Sequence, residues 1–352
     1  MSIRSMCRLR QLYSRVMYRY IKLFDKIDIA ITFEHFSQYN SPSSMFYSQG
    51  KVMPVQGSYL FVILVWSTTP LGIVWSAETM PPTLSVFLRM LIALVLAIVT
   101  VFTLKIHVPW SKKSCLLYFY SAAGIVVGML FSYLAAQTVP SGVISLVFGL
   151  APIISGLFAQ KILSEHVFTP LKLIALLFSI LGLFLVCKTQ IQQLDVPVEG
   201  IVYVLMAVTS FSLSGVMIKT VPITIHPMAT TLGALAFVTP VFAMIWLAAG
   251  GDTNYQQWEM KSILATGYLA LFGSLLGFLA YFHVLQKLPA STVALTTLIT
   301  PIFAVSLGAL LNDEVLTSPL LIGGTMILLS LFLYQFGDKY IKRNKLEAVT
   351  KS

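Results

Sequence analysis

The chain has 352 residues, of which 57% are hydrophobic and only 10% charged, against roughly a quarter charged in an ordinary soluble domain. That composition excludes a water-covered globule and asks for a bilayer as solvent. The net charge of +10 does not indicate nucleic acid, because the basic residues sit in short loops and tails between apolar runs and form no single face.

In chain order, residues 1–56 form a basic leading segment with interleaved aromatics (Arg8, Arg10, Tyr13, Arg15, Tyr18, Arg19, Tyr20) and no apolar run long enough to span. Such a segment suits an interfacial amphipathic helix drawn to anionic lipid. Ten apolar stretches follow, near 58–77, 84–104, 114–136, 141–160, 170–187, 200–218, 228–249, 262–286, 291–311 and 318–336. Each approaches the roughly 20 residues that a helix needs to cross hydrocarbon. The fold class expected is an all-α polytopic membrane protein of ten transmembrane helices. Residues 338–352 are a basic tail.

In the first span, Trp66, Ser67, Thr68 and Thr69 precede Pro70. The proline removes a backbone donor, and hydroxyls at membrane depth are tolerated where they line protein or water. This stretch is a candidate substrate wall, and Ser210 and Ser214 in the hydroxyl-rich sixth span are its counterpart; helix packing through small hydroxyl residues is the competing reading. Arg89 lies about seven residues into the second span, where a charge needs a partner or a role. Either it faces a cavity and binds an anionic or carboxylate group or locks the outer gate, or it snorkels outward onto Glu78. Tyr133 and Tyr281, on the third and eighth spans, are further candidates for the wall. Glu78, Pro152 and Pro301 are candidate gating or hinge residues, the prolines as kinks. Gly124 with Gly128 and Gly273 with Gly277 have the spacing of close-packed helix faces. Glu165 and Glu314 fall just past span ends, where each carboxylate would favour the positive end of the helix that follows, or close a gate.

Lys and Arg mark the cytoplasmic side of a membrane protein. With the amino terminus inside, that side receives eight from the leading segment, five from the tail, and Lys105, Lys112, Lys113, Lys161, Lys172, Lys219 and Lys287 from loops, against Lys188 and Lys261 outside. Both termini are expected in the cytoplasm, in a bacterial-type inner membrane.

Shifting the chain on itself by 149 residues superposes Gly124 and Gly128 on Gly273 and Gly277, Gln137 on Gln286, Pro140 on Pro289, Pro152 on Pro301, Glu165 on Glu314 and Pro170 on Pro319. The chain therefore reads as two copies of a five-span unit, residues 57–188 and 198–337. Five is odd, so the second copy is inverted, and two inverted halves that exchange conformations give alternating access to a site between them.

The phrase Trp66 to Pro70 followed by Glu78, Pro81, Pro82 and Arg89, and the paired sets Pro140, Pro152, Glu165 and Pro289, Pro301, Glu314, resemble the EamA-type members of the drug/metabolite transporter superfamily. The resemblance covers residues 57–337. It implies a ten-helix carrier of a small metabolite, exporter or importer, with a central cavity lined by the first four spans of each half, and it implies no particular cargo. The family's natural start looks like Met53, so an upstream start codon is an alternative account of residues 1–52.

Cys7, Cys115 and Cys187 are isolated, and the five histidines (His35, His107, His166, His226, His283) fall into no ligand spacing, so neither a disulfide framework nor a metal or other cofactor is expected. No phosphate-binding loop ending in Lys and Ser or Thr occurs, and no Asp or Glu lies at membrane centre, which leaves proton coupling without an obvious carrier. An intramembrane enzyme would want paired carboxylates or a Ser with a base at depth, and the spans offer none. The expected partners are a small solute and lipid, with a homodimer open. A lipid-linked or nucleotide-sugar carrier of the same superfamily is the alternative cargo class; a lipid-linked cargo would predict a lateral opening.

Overall fold

The computed structural model describes residues 55–164, 169–193, 196–288, 293 and 296–350; residues 1–54 of the leading segment, Glu165 and Pro289 lie outside them. Residues 57–352 group as one unit, and the described residues are helical, with no strand. We label the helices α1 (Val55–Ser76), α2 (Pro82–Thr103), α3 (Lys112–Ala135), α4 (Ser141–Ile162), α5 (Pro170–Gln193), α6 (Val198–Lys219), α7 (Pro227–Ala248), α8 (Met260–Lys287), α9 (Thr296–Leu311) and α10 (Ser318–Thr350). Among the described residues, α1 to α8 are long and apolar enough to cross a membrane, and Ile299–Leu311 and Ser318–Tyr334 are shorter apolar helices.

Local chemistry sets the boundaries. Pro82 and Pro227 stand in the first turns of α2 and α7, where a missing N–H costs nothing. The Ser111 hydroxyl caps α3 by accepting from Ser114 N. α4 breaks at Gly149 and Leu150, and Pro152 falls in the first turn of its second piece, so that residue starts a helix after the break. Pro70, Pro240 and Pro301 lie inside α1, α7 and α9.

Packing pairs α3 with α6, α2 with α7, α5 with α10, α3 with α7, and the first half of α4 with α9. Small residues let backbones approach. On α3, Gly124 lies against Ser214 and Gly128 against the Phe211 ring of α6. α5 and α10 meet at Gly182 and Gly323, where a β-carbon on either would sit 2.8 or 2.7 Å from the other's carbonyl oxygen. The Ser330 hydroxyl donates to Ser179 Oγ at 2.8 Å beside that crossing.

His226, just outside α7, caps it: Nδ1 accepts from Met228 N at 3.1 Å. Partial burial lowers its pKa from 6.5, so the unfolded chain binds the proton more readily. The neutral ring's contribution is complete above about 6.5 and is lost as pH falls from there through the lower folded value. The melting midpoint of purified protein should therefore fall as pH is lowered through that window, and His226→Asn, which keeps a neutral capping acceptor, should flatten the fall. An unchanged profile in that variant would remove His226 from the account.

Candidate functional site

The seam between α1 and α8 gathers part of the expected wall. The Ser67 and Thr69 hydroxyls turn back onto their own helix, donating to Ile63 O and Val65 O at 2.7 Å each. Thr68 also donates to Val65 O at 2.9 Å, and its Oγ1 lies 2.6 Å from the Tyr268 hydroxyl of α8. The Trp66 ring meets Tyr281 with centroids 5.3 Å apart and planes tilted by 39°. The Tyr281 hydroxyl in turn reaches α6, where a β-carbon on Gly215 would lie 3.3 Å from it. α1, α8 and α6 thus converge on one tyrosine. Of the hydroxyl run, and among the described residues, Thr68 alone has a hydrogen bond to a second helix.

Ser210 and Ser214 face α3. The Ser214 hydroxyl donates to Tyr120 O at 2.8 Å, and both serines border a groove of about 340 Å³ that Tyr120, Gly124, Val127 and Met217 help to line. The α6 patch therefore reaches the α1 seam at Gly215, while its two candidate serines serve the α3 interface.

Arg89 does not snorkel. Its side chain is fully buried, and Glu78 pairs with Lys261 at 2.6 Å on the exposed surface, while the Lys261 ammonium also sits 5.1 Å above the Trp75 ring. The Arg89 Nε donates to Ser274 Oγ of α8 at 2.8 Å. One turn before Arg89 on α2, Ser85 meets Thr266 at 3.3 Å; Ser274 lies two turns beyond Thr266. The guanidinium therefore reaches about one turn deeper than its own Cα, the opposite of an outward escape. Ser274 belongs to a π-helical segment, Leu269–Leu276, a backbone irregularity frequent at functional sites. Gly273 beside it makes room: a β-carbon there would lie 2.9 Å from Nη2. Nη1 and Nη2 have no hydrogen-bond partner among the described residues.

The end of the helix array at which α1 finishes is closed by polar links between distant segments. Glu314, expected to favour the helix after it, caps α4 instead: Oε1 accepts from Ser141 N at 2.8 Å and from the Ser141 hydroxyl at 2.6 Å, and Oε2 accepts from Gly142 N at 3.0 Å. The physical reason is proximity: Val305 and Gly308 of α9 pack on Ser141 and Gly142, which brings the residues after α9 over the open amino end of α4. Trp75 Nε1 donates to Asn312 Oδ1 at 2.8 Å, Ser262 Oγ to Trp75 O at 2.7 Å, and Thr79 Oγ1 to Ser262 Oγ at 3.0 Å. Tyr133 is fully buried here, its hydroxyl accepting from Ser76 Oγ at 3.4 Å. It stands apart from the Trp66 and Tyr281 contact.

Sequence reasoning passed over Tyr268, Ser274, Asn312 and the capping role of Glu314. For Glu314 the 149-residue register was the available signal; Tyr268 and Asn312 offered none beyond being polar near a span end. Among the described residues, no three His, Cys, Asp or Glu side chains cluster closely enough to hold a metal.

A family model described as the EamA-like transporter family matches residues 57–188 and again 198–336. An uncharacterized transporter of Archaeoglobus fulgidus is 24% identical over 77% of this chain and 95% of its own. The uncharacterized inner membrane transporter YedA of Escherichia coli is 22% identical over 76% and 86%, and the uncharacterized transporter YvbV of Bacillus subtilis 24% identical over 79% and 90%. One solved crystal structure superposes on 82% of this chain and 98% of its own at a TM-score of 0.58 and 16% identity, a likeness of fold.

Proposed function

The chain belongs to the EamA-like transporter family, and from that premise we propose that this multi-pass membrane transporter carries a small metabolite, such as an amino acid or related compound, by alternating access between two inverted five-helix halves, residues 57–188 and 198–337. The observation that carries the reading is a bond made twice. Gln137 Nε2, at the end of α3, donates to Ala77 O after α1 at 3.2 Å; Gln286 Nε2, at the end of α8, donates to Ile225 O before α7 at 2.9 Å. The two glutamines correspond under the 149-residue shift, and their acceptors differ from that register by one residue. The bonds lie at opposite ends of the array, because the start of α1 meets the end of α8 through Ser58 and His283 at 3.0 Å. Equivalent links at opposite ends support two related halves of opposite topology.

On this reading the wall is the Trp66, Tyr281 and Gly215 convergence, with Ser67, Thr68 and Thr69 beside it, while Ser210 and Ser214 line the groove against α3. The Glu314 end is the outer gate, helped by Glu78 and Tyr133; Pro152 and Pro301 are the hinges, and both termini face the cytoplasm. No ATP and no chemical change of the solute are needed. The competing cargo, a lipid-linked sugar, is favoured by the groove between α3 and α6.

The test is counterflow in proteoliposomes preloaded with amino acids, organic cations or nucleotide sugars. Accumulation of labelled solute without ATP, reduced at least about tenfold in Tyr281→Ala, is the expected result. Solute that emerges chemically altered, or movement of lipid-linked sugar alone, would overturn the small-metabolite reading.

A further inference from the structure

We infer that the solute carries a carboxylate and that Arg89, seated on the π-helical segment of α8, is the group that receives it. The inference rests on the carrier reading and adds its substrate class. A guanidinium offers five N–H donors in a planar fork, and among the described residues only the Nε donor has a partner. A buried charge with unused donors is costly unless something compensates it. The described spans cannot supply that compensation. Glu78 is held by Lys261, Glu314 by the amino end of α4, and Glu199, Asp252, Glu259 and Asp313 lie in the first turn of a helix or in segments between helices. The sequence places no Asp or Glu in the interior of any of the ten apolar stretches.

The guanidinium is held in one orientation. Ser274 holds Nε, which fixes the fork and leaves both terminal nitrogens without a hydrogen-bond partner among the described residues. Gly273 lies where any side chain would press on Nη2. The π-helical turn also widens the backbone at this level, where its i to i+5 bonding replaces the tighter ladder. Two parallel N–H donors at fixed spacing match the two oxygens of a carboxylate. Lysine, a point charge on a flexible stem, would keep the sign and lose that match.

Binding is read separately from transport. The full chain in lipid nanodiscs is melted in a constant sodium chloride background with added acetate, L-alanine or succinate, and with acetamide and choline as uncharged and cationic comparisons. At least one carboxylate should raise the midpoint by several degrees, as a ligand of the native state does, and the comparisons should not. Arg89→Gln should abolish the rise. Gly273→Ala, which keeps the charge and crowds Nη2, should weaken the apparent affinity about tenfold or more, and Arg89→Lys should recover only part of it. No carboxylate shifting the wild type, or equal shifts in Arg89→Gln or Gly273→Ala, overturns the inference. Counterflow of the same solutes decides the carrier reading on its own: binding without flux would sink transport and leave the Arg89 assignment standing, and flux of cations alone would do the reverse.

Discussion

Replacing Glu314 with alanine is expected to open the array at the end where α1 finishes and to abolish coupled movement of solute. Four donors converge on that carboxylate, Ser141 N, the Ser141 hydroxyl, Gly142 N and, at 3.5 Å, Asn312 Nδ2. Charge-assisted bonds of this kind are about twice as strong as neutral ones, and they satisfy N–H groups that otherwise have no partner at a helix start. Losing a cap costs about 0.5–2 kcal/mol, and here the cap also joins residues 173 positions apart in the chain. The cost therefore falls on the closed arrangement and not on α4 alone. One or two kcal/mol is a factor of about 5–30 in a two-state population. The measurement is alkylation by a membrane-impermeant maleimide of a single cysteine at Ser76, which is fully buried behind this closure, in a background without Cys7, Cys115 and Cys187. Glu314→Ala should raise the labelling rate by about that factor, and Glu314→Gln, which keeps an acceptor without the charge, should fall between. A rate equal to the parent's would show that the contact holds nothing shut.

The largest loss of stability is expected from Gly182→Val or Gly323→Val. At both positions the nearest obstacle is the other glycine's carbonyl oxygen, at 2.8 and 2.7 Å from the added β-carbon. Backbone cannot rotate away as a side chain can. Overpacking costs typically 1–3 kcal/mol and sometimes more, and here the only relief is separation of α5 from α10. Extracted protein should lose its monodisperse peak on size exclusion or melt many degrees lower. Gly267→Ala is the control, since nothing lies within 4 Å of the added carbon and alanine is about 1 kcal/mol better than glycine inside a helix. If the Gly182 and Gly323 variants melt like the parent, the α5 and α10 crossing is not a close one.

Much of this was readable beforehand. Apolar run length located the helices, because a span must satisfy its backbone internally whatever its neighbours are. The Gly124 and Gly128 spacing announced a packed face, and α6 fills it. Gly273 has the same spacing, yet it makes room for the Arg89 guanidinium at one position, which no glycine pattern distinguishes from helix packing. Gly182 and Gly323 went unseen because neither belongs to a spaced pair within its own helix; they pair only with each other, between helices.

Arg89 and Glu314 show where the limit lies. A charge in an apolar run tells that a partner or a role is required, since its cost depends on the medium alone. It does not tell which partner. Glu78 was in reach along the chain, but Lys261 holds it, and the Arg89 fork turns inward to Ser274, 185 residues away. The same holds for Ser67 and Thr69, whose hydroxyls are drawn to carbonyls four residues back, and for Glu314, which caps a helix in the first half of the chain. Sequence by itself determined the membrane class, the helix positions and the residues that must find polar partners, because those follow from the free energy of single groups in hydrocarbon. Only the tertiary structure decided the partners, because a hydrogen bond joins two groups and which two come within 3 Å depends on how the helices pack.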